Sequence, residues 1–181
     1  LVTVRDVALF AQRLELVRRL RNEIEGYAIE LGVDGRHIAL QVDELGSGVE
    51  AARELLLLDY LPASKKKTAT LVDAALTALN AMTETDVLDL PLIASALGLE
   101  GTLDALDSSI SPRGYRLLNR LPRITDNIRD RLVSHFGTLQ PLLLATIESL
   151  QEVEGIGEAR ARLIRDGITR VSEATILDRL L

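Results

Sequence analysis

The chain has 181 residues, of which 47% are hydrophobic, 27% charged and 3% aromatic, with a net charge of −6; that is enough for one domain or two small ones, and too acidic for an indiscriminate nucleic-acid binder. With no Cys and only His37 and His135 as imidazoles, it excludes a disulfide framework, a thiolate metal site and a His-rich metal centre. Its apolar mass is almost wholly Leu, Ala, Val and Ile, with 5 Pro, which points to an all-α protein packed on aliphatic ridges.

Residues 3–31 repeat apolar positions at steps of three and four: Val7, Phe10, Leu14, Val17, Leu20, Ile24, Tyr27 and Leu31. That spacing predicts one long helix with one buried stripe, closed by Gly32 and turned at Asp34-Gly35. Residues 36–60 repeat the pattern with Ile38, Val42, Leu45, Val49, Ala52 and Leu56, weakened by Gly46 and Gly48 as at a bend. The short turn between the two predicts an antiparallel hairpin, a helical spine. Leu61-Pro62-Ala63-Ser64 ends the second helix, and Lys65-Lys66-Lys67 opens a third, with Leu71, Ala75, Ala78, Leu79 and Met82 on one face. The lysines read as a solvated helix start. Thr83–Asp86 offers caps, Pro91 suits the first turn of a helix running to Leu97-Gly98, and Thr102–Ile110 reads as one more short helix.

Ser111-Pro112-Arg113-Gly114-Tyr115 is a clear break. The charge changes there: residues 1–112 carry 10 Lys+Arg against 18 Asp+Glu, and residues 113–181 carry 11 Arg against 9 Asp+Glu. Two domains are therefore expected, a helical spine over 1–110 and a small module over 111–181. The module holds a cluster of Arg113, Arg116, Arg120, Arg123, Arg129 and Arg131. Helices are expected over Arg116–Leu121, over a segment with Ile128, Leu132 and Phe136 buried and Gly137 at its end, and over Pro141–Thr146. Ile147–Gln151 leads into the most informative string, Val153-Glu154-Gly155-Ile156-Gly157-Glu158-Ala159-Arg160-Ala161-Arg162-Leu163-Ile164. Gly167 is expected to end the helix after it, before a last amphipathic helix with Val171, Ala174, Ile176 and Leu180.

Gly-apolar-Gly, with Ala four residues after the second Gly and an apolar pair beyond, is a helix-hairpin-helix signature. Glycines let the turn approach a phosphate without a Cβ, and the amides of Gly155, Ile156, Gly157 and the next residues open a helix N-terminus that favours an anion. Arg160 and Arg162, with Arg113, Arg116, Arg120, Arg123, Arg129 and Arg131, would add charge-assisted contacts. Nothing in such a turn reads a base, so recognition by backbone and shape is expected. Glu154 and Glu158 flank the turn and count against phosphate. Leu121-Pro122-Arg123-Ile124-Thr125 aligns with Val153–Gly157 and reads as a degenerate copy whose turn mainly packs.

Ser111–Leu118, the degenerate hairpin and Val153–Arg162 together resemble the C-terminal part of the DisA family of bacterial DNA integrity scanning proteins, and the two long helices resemble its central spine. The tandem hairpin is also similar to that of a bacterial excinuclease, so the hairpin alone does not select the family. The resemblance covers essentially the whole chain. It implies a non-catalytic piece that binds branched DNA such as a Holliday junction. That piece would regulate an N-terminal diadenylate cyclase domain that makes cyclic di-AMP from ATP with Mg or Mn. The family's Asp-Gly-Ala and Arg-His-Arg cyclase motifs are missing; Asp34-Gly35-Arg36-His37 reads as a turn and helix start. The chain is therefore expected to need no cofactor and to be no enzyme. The resemblance further implies a homo-octamer assembled through the absent domain, and the recombination factor RadA as a partner. A second reading is a scaffold that docks repair or recombination proteins. A third, a DNA glycosylase using Asp166 or Asp178, lacks a base pocket and aromatics. No segment is apolar enough to span a bilayer and no signal peptide opens the chain, so a cytoplasmic location is expected. The first residue is Leu, as expected of a piece of a longer protein.

Overall fold

The computed structural model describes residues 2–32, 35–62 and 68–180, with Leu45 and residues 174–180 described as backbone alone. The expected turn at Asp34, the Lys65–Lys67 helix start and the burial of Ala174, Ile176 and Leu180 lie outside the described residues. The fold is all-α, as its composition predicts, apart from one two-stranded ladder. The chain divides into two compact units, Leu1–Ile110 and Ser111–Leu181.

The first unit begins with a short strand β1 (Val2–Thr3) and the long helix α1 (Val4–Glu30). Thr3 and Asp6 form a reciprocal capping box: Asp6 donates its amide to the Thr3 hydroxyl and accepts the Thr3 amide at 2.8 Å. The Thr3 amide bond holds the Asp6 carboxyl below its ordinary value. Helices α2 (Gly35–Gly46) and α3 (Val49–Tyr60) replace the single helix expected over 36–60. Gly48 adopts a left-handed φ of 85° between them, so the bend is a full break. Helix α4 (Thr68–Ala81), a 3₁₀ turn Asp86–Leu88, α5 (Leu90–Ala96) and a second 3₁₀ turn Ala105–Asp107 follow.

The helix expected over 102–110 is not formed. Ser109–Ile110 is a strand, β2, pairing antiparallel with β1 in the register Val2↔Ile110 and Thr3↔Ser109. Val4 donates to the Ser108 carbonyl at 3.0 Å, and Arg5 pairs with Asp107 at 2.9 Å. A partner more than a hundred residues away in sequence supplies these bonds, so local propensity did not announce them.

The buried face of α1 also differs from the expected stripe. Val4, Val7, Ala8 and Ala11 enter the core with Leu56, Leu57, Leu79, Ile93, Leu97 and Leu106. Of the expected stripe only Val7 is fully buried; Leu20, Tyr27 and Leu31 are each more than half exposed. Small side chains let α1 approach its neighbours closely, and close approach selected the face. Inside the same core sits an ion network that periodicity does not reveal. Glu15, 1% exposed, accepts from Arg53 at 2.6 Å and from Arg18 at 3.1 Å. Arg53 also reaches Glu50 at 2.6 Å and Asn80 at 2.7 Å, tying α1, α3 and α4 together. Arg19 donates to the Met82 carbonyl at 2.7 Å, past the end of α4, where a helix favours a cation.

The second unit contains α6 (Tyr115–Asn119), α7 (Asp126–Phe136), α8 (Leu139–Leu144), α9 (Ile147–Gln151) and α10 (Glu158–Leu180). Leu118 and Leu150, Leu121 and Val153, and Leu132 and Ile164 are buried at equivalent places in the two halves. Gly167 does not end a helix: α10 runs through it, joining the two helices expected there. A Cβ on Gly167 would lie 2.8 Å from Leu121 Cδ2. This glycine therefore serves close packing against the first hairpin.

Candidate nucleic-acid interface

Each half of the second unit is a helix, a five-residue turn and a helix. The turns are Leu121–Thr125, between α6 and α7, and Val153–Gly157, between α9 and α10. Gly155 has φ 86°, and its counterpart Arg123 has φ 62°. Arg123 is the described non-glycine residue in that left-handed region, a conformation costing roughly 1–2 kcal/mol for an L side chain. The copy that looks degenerate by sequence has thus kept the turn, held by buried Leu121 and Ile128 and half-buried Ile124.

In the second turn Ile156 is buried, and its amide donates to the Val153 carbonyl at 3.1 Å. It closes the turn from within rather than offering an N–H outward. The amides of Gly157, Glu158, Ala159 and Arg160 bond to no acceptor among the described residues, and the ladder of α10 begins at Ala161, donating to Gly157 at 2.9 Å. All four residues are exposed. Such a set of free N–H groups at a helix start favours an anion. The two glycines do different work. Gly155 needs its positive φ, and a Cβ there would lie 3.1 Å from Arg131 Nη1 and 3.3 Å from Ile128 Cδ1. Gly157 has open space where a Cβ would stand, so the approach to the free amides passes over Gly157.

The arginines separate into groups. Arg120 and Arg123 are exposed and make no hydrogen bond or ion pair among the described residues. Arg113 and Arg116 are half-buried and engaged within the protein. Arg160 donates to the Gly155 carbonyl and Arg162 pairs with Glu158 one turn back on α10. Arg129 and Arg131, expected among the arginines that contact phosphates, are engaged within the protein. Arg131 donates to the Glu154 carbonyl at 2.9 Å and lies 3.7 Å from the Glu154 carboxylate, so it locks α7 to the second turn and offsets an acid beside it. Arg129 spans Asn119 and Asp126, each at 2.8 Å, and links α6 to α7. Arg165 donates to the Leu143 carbonyl near the end of α8 at 2.7 Å. The two acids that flank the turn are thus each matched by an arginine. Tyr115 is buried, and its phenol is pushed up to about 12 by burial, with the charge and hydrogen bond of Asp130 adding to it.

Among the described residues no three His, Asp or Glu side chains converge as a metal ion requires. No described helix is long and apolar enough to cross a membrane.

Residues 1–106 match the family described as the DisA bacterial checkpoint controller linker region. Over 179 residues, 99% of the chain, it is 54% identical to the DNA integrity scanning protein DisA of Streptomyces avermitilis, covering 48% of that protein. The proteins of the same name from Acidothermus cellulolyticus and Kineococcus radiotolerans are 53% and 49% identical over the same length, with 48% and 49% of them covered. The chain spans about half the length of these curated relatives.

Proposed function

Because the chain belongs to the DisA family, whose linker region it carries over residues 1–106, we propose that residues 111–181 grip branched DNA by its phosphates and report it to a diadenylate cyclase domain elsewhere in the full-length protein. The observation that carries this reading is the open helix start at Gly157–Arg160, whose amides have no acceptor among the described residues and whose approach is unobstructed. Phosphate contacts position a protein without reading sequence, which suits a sensor of DNA shape. Arg120 and Arg123 stand free to add side-chain contacts, and Arg160 and Arg162 place further positive charge along α10.

The test is a salt titration of binding to a four-way junction and to linear duplex. Affinity should fall with salt with a slope of about −0.9 per phosphate neutralised, and the junction should be preferred. Gly157→Glu places a carboxylate at the free amides and should weaken junction binding by at least about tenfold, the cost of one lost charge-assisted contact. Gly157→Ala, with open space around its methyl, should keep the fold. Junction binding unchanged in Gly157→Glu would sink the assignment.

The excess of acid over base in residues 1–112 supports a second role for the first unit, docking a recombination factor such as RadA. Salt-insensitive or absent DNA binding, with retained binding of such a factor, would make that the primary function. The homo-octamer and the cyclase coupling belong to the full-length protein and would be tested there, by following cyclic di-AMP synthesis with junction present.

A further inference from the structure

The turn Val153–Gly157 carries carbonyl oxygens as well as amides, and an oxygen left facing outward would repel a phosphate. The carbonyls of Val153, Glu154, Gly155 and Gly157 each accept a donor from within the protein. Ile156 donates its amide to Val153 at 3.1 Å, and Ala161 donates to Gly157 at 2.9 Å. Those are backbone bonds that the turn and α10 make for themselves. Side chains take the other two. Arg131 Nη1 donates to the Glu154 carbonyl at 2.9 Å, and Arg160 Nη1 donates to the Gly155 carbonyl. Arg131 stands on α7, in the other half of the unit, 23 residues back in sequence. The same nitrogen lies 3.7 Å from the Glu154 carboxylate, whose side chain is 86% exposed. A Cβ on Gly155 would stand 3.1 Å from it, close enough to displace it. Gly155 thus admits the guanidinium as well as the left-handed φ.

We infer, resting on the reading that the amides of Gly157–Arg160 receive a phosphate, that Arg131 and Arg160 are positioning residues for that site. They make the turn selective for an anion without touching it. A charge-assisted bond to a carbonyl holds each guanidinium in place, and a guanidinium keeps its charge at any pH the protein meets. Two carbonyl dipoles and the Glu154 carboxylate would otherwise leave the turn mixed in sign. Two fixed positive charges reverse that, and they stand ready before the ligand arrives, so little ordering is paid on binding. Arg120 and Arg123 differ in kind. They are exposed and make no hydrogen bond or ion pair among the described residues, so their guanidinium groups are available for direct contact. The first hairpin therefore serves the second: it lends Arg131, and the two halves build one phosphate site.

Four-way junction binding by the 181-residue chain, titrated with salt, separates the two kinds of arginine. Arg123→Gln removes a direct contact and should lower the salt slope by about 0.9. Arg131→Gln should weaken binding about fivefold, the upper end for a partly exposed charge pair, with the slope unchanged. Arg160→Gln, on an exposed side chain, should give the same parallel shift. Glu154→Gln alone should change little, because that acid is already matched. In the Arg131→Gln background it should recover at least about twofold, the non-additivity of groups in contact. A loss of fold at Arg131 would not respond to removal of an exposed acid, so absence of that recovery overturns the inference. So does a slope lowered by about 0.9 in both Arg131→Gln and Arg160→Gln, the mark of direct phosphate contacts. Gly157→Glu, measured alongside, keeps the two claims apart. If it binds the junction as the parent does, the phosphate site itself fails and the positioning role falls with it. If it weakens binding while Arg131→Gln and Arg160→Gln behave as direct contacts, only the positioning role falls.

Discussion

Gly155 and Gly157 are two residues apart and look alike in the sequence, yet their surroundings give them different work. Gly155 is bound by its left-handed backbone and by Arg131 and Ile128 above it, whereas Gly157 has open space where a Cβ would stand. A substitution at Gly155 therefore tests the fold, and one at Gly157 tests the ligand. Tyr115 shows a second residue-scale consequence. Its phenol is held protonated by burial and by the neighbouring Asp130, with a folded value of about 12 against an ordinary 10. The neutral form is favoured in the fold, so the stabilisation is fully present below pH 10 and is lost as pH rises through 10 towards 12. Thermal unfolding from about pH 9 to 12 should show that decline, and Tyr115→Phe should flatten it. An equally steep decline in the variant would refute the assignment.

Among the elements, those defined by local chemistry were readable. Thr83 and Asp86 bond each other at the start of the first 3₁₀ turn, and Pro91 stands in the first turn of α5, as their sequence led one to expect, because caps act within four residues. Elements defined by distant partners were not readable. Ser109–Ile110 became a strand because Val2–Thr3 was there to pair with it. Gly48 broke a helix and Gly167 did not, because Gly48 adopts a positive φ while Gly167 sits against Leu121 within a continuous α10. The register of α1, α3 and α4 likewise rests on the buried Glu15–Arg53 pair. Removing one partner strands a charge in the core, so Arg53→Leu should cost about 3–5 kcal/mol in urea unfolding. Arg5→Ala, at the exposed pair with Asp107, should cost under about 1 kcal/mol. Comparable losses at the two sites would contradict this account.

For the whole molecule, the two units have separate cores, one around Leu57, Ile93 and Leu97 and one around Leu118, Leu132 and Ile164. Arg53→Leu should therefore lower the unfolding of residues 1–110 and leave that of residues 111–181 in place, giving two resolved transitions by calorimetry; one shared transition, shifted as a whole, would refute it. The sequence by itself determined the all-α class and the Gly155–Gly157 turn, because periodicity and left-handed positions are local demands on the chain. It could not determine which face of α1 is buried, since an apolar stripe suits a core and a partner helix equally well. Tertiary structure decided that, by letting Ala8 and Ala11 bring α1 close to its neighbours. It also decided which arginines remain free: Arg129, Arg131 and Arg165 meet acceptors that other segments carry to them, and Arg120 and Arg123 meet none among the described residues.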